Sequence, residues 1–133
     1  MSKDQIIIYP ELSYQIIGIA FKIFNSLQYG HQEKYYQRAF EIELKKQGIK
    51  YKKEKEVKLN YNGHGIGKYY LDFLIEDKII VELKILSVYK YKNIRQVLEY
   101  LQETNKKLAI LIYFTQEGVR YRRIINPKFI DKN

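Results

Sequence analysis

The sequence predicts an α/β fold, a mixed β-sheet flanked by helices in the order α-α-β-β-β-α-β-β. Three observations carry that reading. Two segments in the first third repeat apolar residues at helical spacing. Tyr69–Ile75 and Ile79–Ile85 are dense in β-branched and aromatic residues and are separated by a polar break, Glu76-Asp77-Lys78. Leu108–Phe114 is a strongly apolar run of strand length that reads as a central strand.

The elements follow in order. A first helix is expected over 11–27, with Tyr14, Ile17, Phe21 and Phe24 at helical spacing and Ile16, Ala20 and Ile23 beside them. Ser13 is its candidate cap, and Gly30 suits the turn that follows. A second helix is expected over 32–47, with Tyr36, Ala39, Phe40 and Leu44 as its apolar stripe and Gly48 as its stop. Residues 49–60 alternate loosely, carry five lysines and read as a basic strand and loop, and 62–67 read as a glycine-rich turn. After the 69–85 hairpin, a Lys- and Tyr-rich connection over 87–93 leads to a helix over 94–104, with Val97, Leu98 and Leu101 on one side. The 108–114 strand, a break at Gly118 and a last strand over 119–125 complete the fold, and the segment after Asn126-Pro127 is expected to be loose.

A chain of 133 residues fits one domain with its core over about 11–125. The absence of cysteine excludes disulfides and thiolate metal sites and suits a cytoplasmic setting. No apolar run approaches the ~18 residues a membrane span needs, so no membrane association is expected. The 24 Lys and Arg outnumber the 15 Asp and Glu, for a formal net charge of +9, which favours a polyanionic partner, nucleic acid first.

The hairpin carries the chemistry. If it is symmetric about Asp77, Asp72 falls opposite Glu82. Strand alternation then points Asp72, Glu82 and Lys84 the same way, on a face shared with Leu74 and Ile80. Two carboxylates across a ladder repel each other, and half-burial screens that repulsion poorly. A divalent cation would relieve it. The bland alternative is a surface ion pair between Glu82 and Lys84, worth under ~1 kcal/mol.

An Asp followed by Glu82-Leu83-Lys84 on the next strand resembles the core of the PD-(D/E)xK nuclease superfamily. Gly30-His-Gln-Glu33-Lys-Tyr-Tyr36, about 40 residues upstream, is similar to the signature of that superfamily's GxxExxY family. Ala39, Glu43-Leu44, Gly48, Gln96 and Tyr100-Leu101 fit the same pattern. Leu71 stands where the superfamily name has proline, and Tyr113-Phe114 where Asn-Phe is expected.

The resemblance implies a restriction-endonuclease-like fold and a Mg2+- or Mn2+-dependent nuclease that hydrolyses phosphodiester bonds, in DNA, with a metal-activated water. It implies Asp72, Glu82, the Leu83 carbonyl and Glu33 as metal ligands, because hard cations take oxygen donors. Lys84 would orient or deprotonate the water, and Gln96 and Tyr100, i and i+4 on one helix face, would support the site. Tyr36, one turn after Glu33 on the same face, reads equally as a contact near the site and as a core tyrosine, and His31 and His64 read as polar loop residues. Lys90, Lys92, Arg95, Arg120, Arg122 and Arg123 are candidate phosphate contacts. A homodimer is expected for so small a nuclease, and a Holliday-junction-resolvase-like endonuclease fits the chain order. The rivals are a catalytically silent nucleic-acid-binding module and an interaction subunit on the same fold.

Overall fold

The computed structural model describes residues 8–86 and 94–130. Its elements are α1 (Pro10–Leu27), α2 (Glu33–Lys46), β1 (Tyr51–Tyr61), β2 (His64–Ile75), β3 (Ile79–Ile85), α3 (Ile94–Thr104), β4 (Leu108–Thr115) and β5 (Gly118–Ile125), followed by a 3-10 turn over Pro127–Phe129. The strands form one sheet in sequence order. All neighbours are antiparallel except β3 and β4, which run parallel on either side of α3. The expected element order is the observed one. Among the described residues, no helix is long and apolar enough to cross a membrane.

The sheet separates two apolar clusters. Alternation along β4 sends Leu108, Ile110, Ile112 and Phe114 to one face, with Ile16, Ile19 and Ile23 of α1 and Tyr36, Phe40 and Leu44 of α2. It sends Ala109, Leu111 and Tyr113 to the other, with Val97, Tyr100 and Leu101 of α3. Every residue of β4 is buried, which is why its sequence is apolar without alternation.

Local chemistry fixes the ends. α1 starts at Pro10, whose missing N–H costs nothing in a first turn. Ser13 therefore lies inside the helix instead of capping it. The face that α1 buries is Ile16, Ile19, Ala20 and Ile23, while Tyr14 and Phe21 are exposed. The expected stripe was thus turned about the axis, because α1 is apolar nearly all round and periodicity cannot choose its inner side. α2 ends in a Schellman motif: Gly48 at φ +69 donates to the Lys45 carbonyl (3.1 Å), and Ile49 donates to that of Leu44 (2.9 Å).

The segment over 62–67 departs from its reading. Only Asn62-Gly63 turns, both at positive φ as a two-residue hairpin turn requires. Gly65 and Gly67 lie within β2, which begins at His64, so the first hairpin is longer than expected. The segment after β5 is also more ordered than expected through Ile130. Asn126 is buried; its Nδ2 donates to the carbonyls of Leu101 (3.2 Å) and Lys106 (3.0 Å), and its Oδ1 accepts from the Lys128 N–H (3.1 Å). One side chain thereby ties the end of α3, the approach to β4 and the final turn together. Asn126→Ala strands those acceptors and should lower stability by about 1–3 kcal/mol in urea melts; a change under ~0.5 kcal/mol would deny the side chain this role.

Candidate active site

The β2–β3 register is symmetric about residue 77, with Phe73 opposite Val81 and Ile75 opposite Ile79. Asp72 and Glu82 come next, and there the backbone ladder stops. Side chains replace it: the Asp72 N–H donates to Glu82 Oε1 at 3.0 Å, and the Leu83 N–H donates to Asp72 Oδ2 at 2.8 Å. Each carboxylate thus satisfies a backbone donor of the opposite strand, and both are drawn into the gap between the strands. β2 also rolls about its axis here. Leu71 packs in the α3-side cluster and Phe73 in the opposite one, although alternation alone would put them on one face.

Glu82 is buried, at 5% exposed, and Asp72 is half-buried. Burial, and then the Asp72 charge, push the Glu82 carboxyl from the ordinary 4.5 up to about 8. The N–H of Asp72 and the ammonium of Lys84 pull it back in part. Lys84 follows two residues on, beside buried Tyr113 in the β3–β4 register. The expected clash of two acids is therefore present, with a cation near it.

α2 enters from the other side. The carboxyl of Glu33, in its first turn, is raised by burial, lowered by the Lys84 charge and raised by that of Asp72, so all three groups share one electrostatic neighbourhood. Gln37, one turn on, donates from Nε2 to Asp72 Oδ1 at 3.1 Å. The sequence reading missed Gln37; its i+4 spacing from Glu33 was the available signal.

Tyr36 is fully buried and stacks on Phe114, with centroids 4.6 Å apart. Its hydroxyl donates to the Gln28 carbonyl and accepts from the His31 N–H (3.4 Å). It locks the Gln28–His31 turn, where Gly30 sits at φ +125. Of the two readings of Tyr36, the core role describes its place: it fixes the start of α2, and with it Glu33.

The donor set suits a hard divalent cation. Asp72 and Glu82 offer paired anionic oxygens whose mutual repulsion such an ion would remove. A residue's N–H and C=O face the same neighbouring strand. The Leu83 carbonyl therefore faces β2, the side where Asp72 has met the Leu83 N–H, and could be a third donor. Among the described residues, no three carboxylate or imidazole side chains stand together as a ready cage. A preassembled pair is present, with Glu33 further off.

The other expected residues are spread more widely. Tyr100 is buried in the α3-side cluster with Ile80, Leu111 and Tyr113, and Gln96 is half-buried one turn before it. Arg95 is exposed. Arg122 pairs with Leu111 and Arg120 with Tyr113, which puts both arginines in the strand rows of Glu82 and Lys84, two strands away. Arg120 is bonded to Glu117 at 3.2 Å. Arg123 departs from the phosphate-contact expectation: its Nη2 donates to the Ile8 carbonyl (2.6 Å) and approaches Ser13 Oγ (3.5 Å), so it ties β5 to the start of α1. Lys90 and Lys92 lie outside the described residues. His31 packs edge-on against Tyr35 and Tyr36, and His64 is exposed at the hairpin tip.

The electrostatics have a measurable sign. The folded-state Glu82 carboxyl titrates above its unfolded value, so the folded chain holds a proton that the unfolded chain releases. This contribution to stability is full below about pH 4.5 and is lost as pH rises toward about 8. In EDTA at pH 8, Glu82→Gln should therefore melt above the wild type, by about 4 °C for each kcal/mol recovered, and the gap should close toward pH 5. A variant that melts below the wild type at pH 8 would show that the ionised carboxylate is not under strain.

The fold has counterparts among solved structures. The crystal structure of SSO0001 superposes with a TM-score of 0.58 at 22% identity, over 93% of this chain and 59% of that one, so this chain spans under two thirds of its length. The alkaline exonuclease LHK-Exo from Laribacter hongkongensis superposes with a TM-score of 0.52 at 13% identity, over 96% of this chain and 73% of that one. No curated protein sequence matches. A sequence profile of the PD-(D/E)XK nuclease superfamily matches residues 10–124, which contain Glu33, Asp72, Glu82 and Lys84. The chain belongs to the PD-(D/E)XK nuclease superfamily.

Proposed function

We propose that this chain is a divalent-metal-dependent nuclease that hydrolyses phosphodiester bonds in DNA. The observation that carries the reading is the convergence of two carboxylates, one of them buried, in a gap between strands, with Lys84 and Glu33 in the same field. Asp72, Glu82 and the Leu83 carbonyl would hold Mg2+ or Mn2+, with Glu33 completing the set from α2. When bound, the cation supplies Lewis-acid stabilisation of charge on the attacked phosphate.

The chain's own groups do the rest. Gln37 fixes the rotamer of Asp72 by bonding one carboxylate oxygen, while the Leu83 N–H holds the other. Lys84 provides a cation beside the acids; it would orient the attacking water and favour its deprotonation through its charge, or hold the scissile phosphate. Tyr36 keeps α2, and so Glu33, at the working distance. The net charge of +9 supplies long-range attraction for a polyanion. The similarity of Gly30-His-Gln-Glu33-Lys-Tyr-Tyr36 to the GxxExxY signature supports Glu33 as part of the centre.

The test is a cleavage assay on plasmid and linear DNA with Mg2+ or Mn2+. Asp72→Ala and Lys84→Ala should each reduce the rate by at least ~100-fold and leave the circular dichroism spectrum unchanged. Chelation should abolish wild-type activity. Equal cleavage by wild type and both variants, after removal of contaminating nucleases, would reject the proposal. Salt-sensitive DNA binding with no metal-dependent cleavage would favour a silent binding module.

A further inference from the structure

A cleft of about 210 Å3 opens beside Asp72, between α2 and the first two strands. Lys34, Gln37, Arg38, Glu41, Lys53 and Asp72 line it. Its charges are unevenly matched. Glu41 is satisfied within the protein: Lys53 lies at 3.0 Å and Lys45 at 3.3 Å. Hydrogen bonds from Tyr51 and Lys53 hold its carboxyl down at about 2. That pairing also accounts for Lys53.

Lys34 and Arg38 are different. Both are exposed, and each lies over the ring of Tyr35, at 5.3 and 5.8 Å. No acidic side chain comes within 4.0 Å of either among the described residues. Their placement is locally unfavourable in two ways. Like charges at i and i+4 repel on a helix face, and Lys34, a cation in the first turn of α2, opposes the helix dipole, which favours anions there. The Tyr35 ring offsets this in part, and an anion entering the cleft would offset it further. Between them on the same helix, Gln37 touches Asp72, so such an anion would sit within about one helical turn of the acid pair.

We infer that this cleft is a phosphate subsite: Lys34 and Arg38 grip a backbone phosphate of the nucleic-acid strand next to the one held at Asp72 and Glu82. The inference rests on the nuclease reading for the identity of the strand and extends it to where the strand runs, along the outer face of α2. The Arg38 guanidinium can take two phosphate oxygens at once, while Lys34 adds a point charge from the turn before. Gln37 then lies between the gripped phosphate and the acid pair and couples the two positions. Of the basic residues singled out from the sequence, the four described ones, Arg95, Arg120, Arg122 and Arg123, do not line it.

The experiment is a binding titration of a fluorescein-labelled DNA 20-mer, single-stranded and duplex, by anisotropy in EDTA across a salt series. Three proteins are compared: wild type, Lys34→Ala/Arg38→Ala, and Lys107→Ala/Lys128→Ala. The last removes the same charge from around Phe129, at the other end of β4 from Lys84's partner Tyr113. The cleft variant should bind at least about tenfold more weakly, and its log–log salt slope should be shallower by about 2. The control should stay within about twofold of wild type. A cleft variant that binds no more weakly than the control overturns the subsite. The parallel cleavage assay separates the two claims. If wild type cleaves and the cleft variant binds normally, the subsite falls and the nuclease stands. If the cleft variant loses binding but wild type never cleaves, the phosphate subsite stands and the nuclease falls.

Discussion

Asp72 and Glu82 complete a backbone ladder and repel each other in the same few ångströms. Each carboxylate accepts the N–H of a residue on the opposite strand, which holds β2 and β3 together where their backbones part. Those bonds favour the ionised acids, whereas burial and proximity disfavour them, and for Glu82 burial prevails. The free protein therefore retains a buried acid with an elevated proton affinity. Carboxyls perturbed by burial and a like charge concentrate at functional sites, and a cation in place of the proton would relieve the conflict. The core on both sides of the sheet holds the two strands against the repulsion, with Phe73, Val81 and Leu83 packed on one face and Leu74 and Ile80 on the other.

The second constraint is the setting of α2. Its start is fixed by a tyrosine that never needs to meet the substrate. The Tyr36 hydroxyl binds both sides of the turn at Gly30, and its ring is stacked on Phe114 of β4. From that anchor, helical geometry delivers Glu33 three residues before Tyr36 and Gln37 one residue after it. The Gly, Glu and Tyr of this segment thus have separate physical roles: a backbone conformation with positive φ, a carboxylate facing the acid pair, and a clamp.

Much of this was legible in the residues. The turn at Glu76–Lys78 and the alternation of the flanking strands place Asp72 opposite Glu82, and the observed register agrees. The uniform apolarity of 108–114 marks a strand buried on both faces. What escaped the sequence has definite causes. The buried side of α1 was ambiguous because apolar residues surround the helix. Gly65 and Gly67 suggested a turn although cross-strand pairing with Leu59 and Asn60 keeps them extended. Gln37 was passed over although its i+4 spacing from Glu33 was visible, because its partner Asp72 lies 35 residues away on another element. Arg123 looked like the arginines beside it, and its inward bond to Ile8 is a contact between the two ends of the chain that no local pattern encodes.

On the proposed function, the acid pair shares a cation. The most direct measurement is anomalous diffraction from crystals soaked in Mn2+ at near-neutral pH. A peak is expected between the carboxylates of Asp72 and Glu82, about 2.0–2.6 Å from their oxygens as hard cations require, with the Leu83 carbonyl turned toward it. Well-ordered carboxylates with no peak between them at saturating Mn2+, the Asp72–Leu83 and Glu82–Asp72 hydrogen bonds intact, would contradict it.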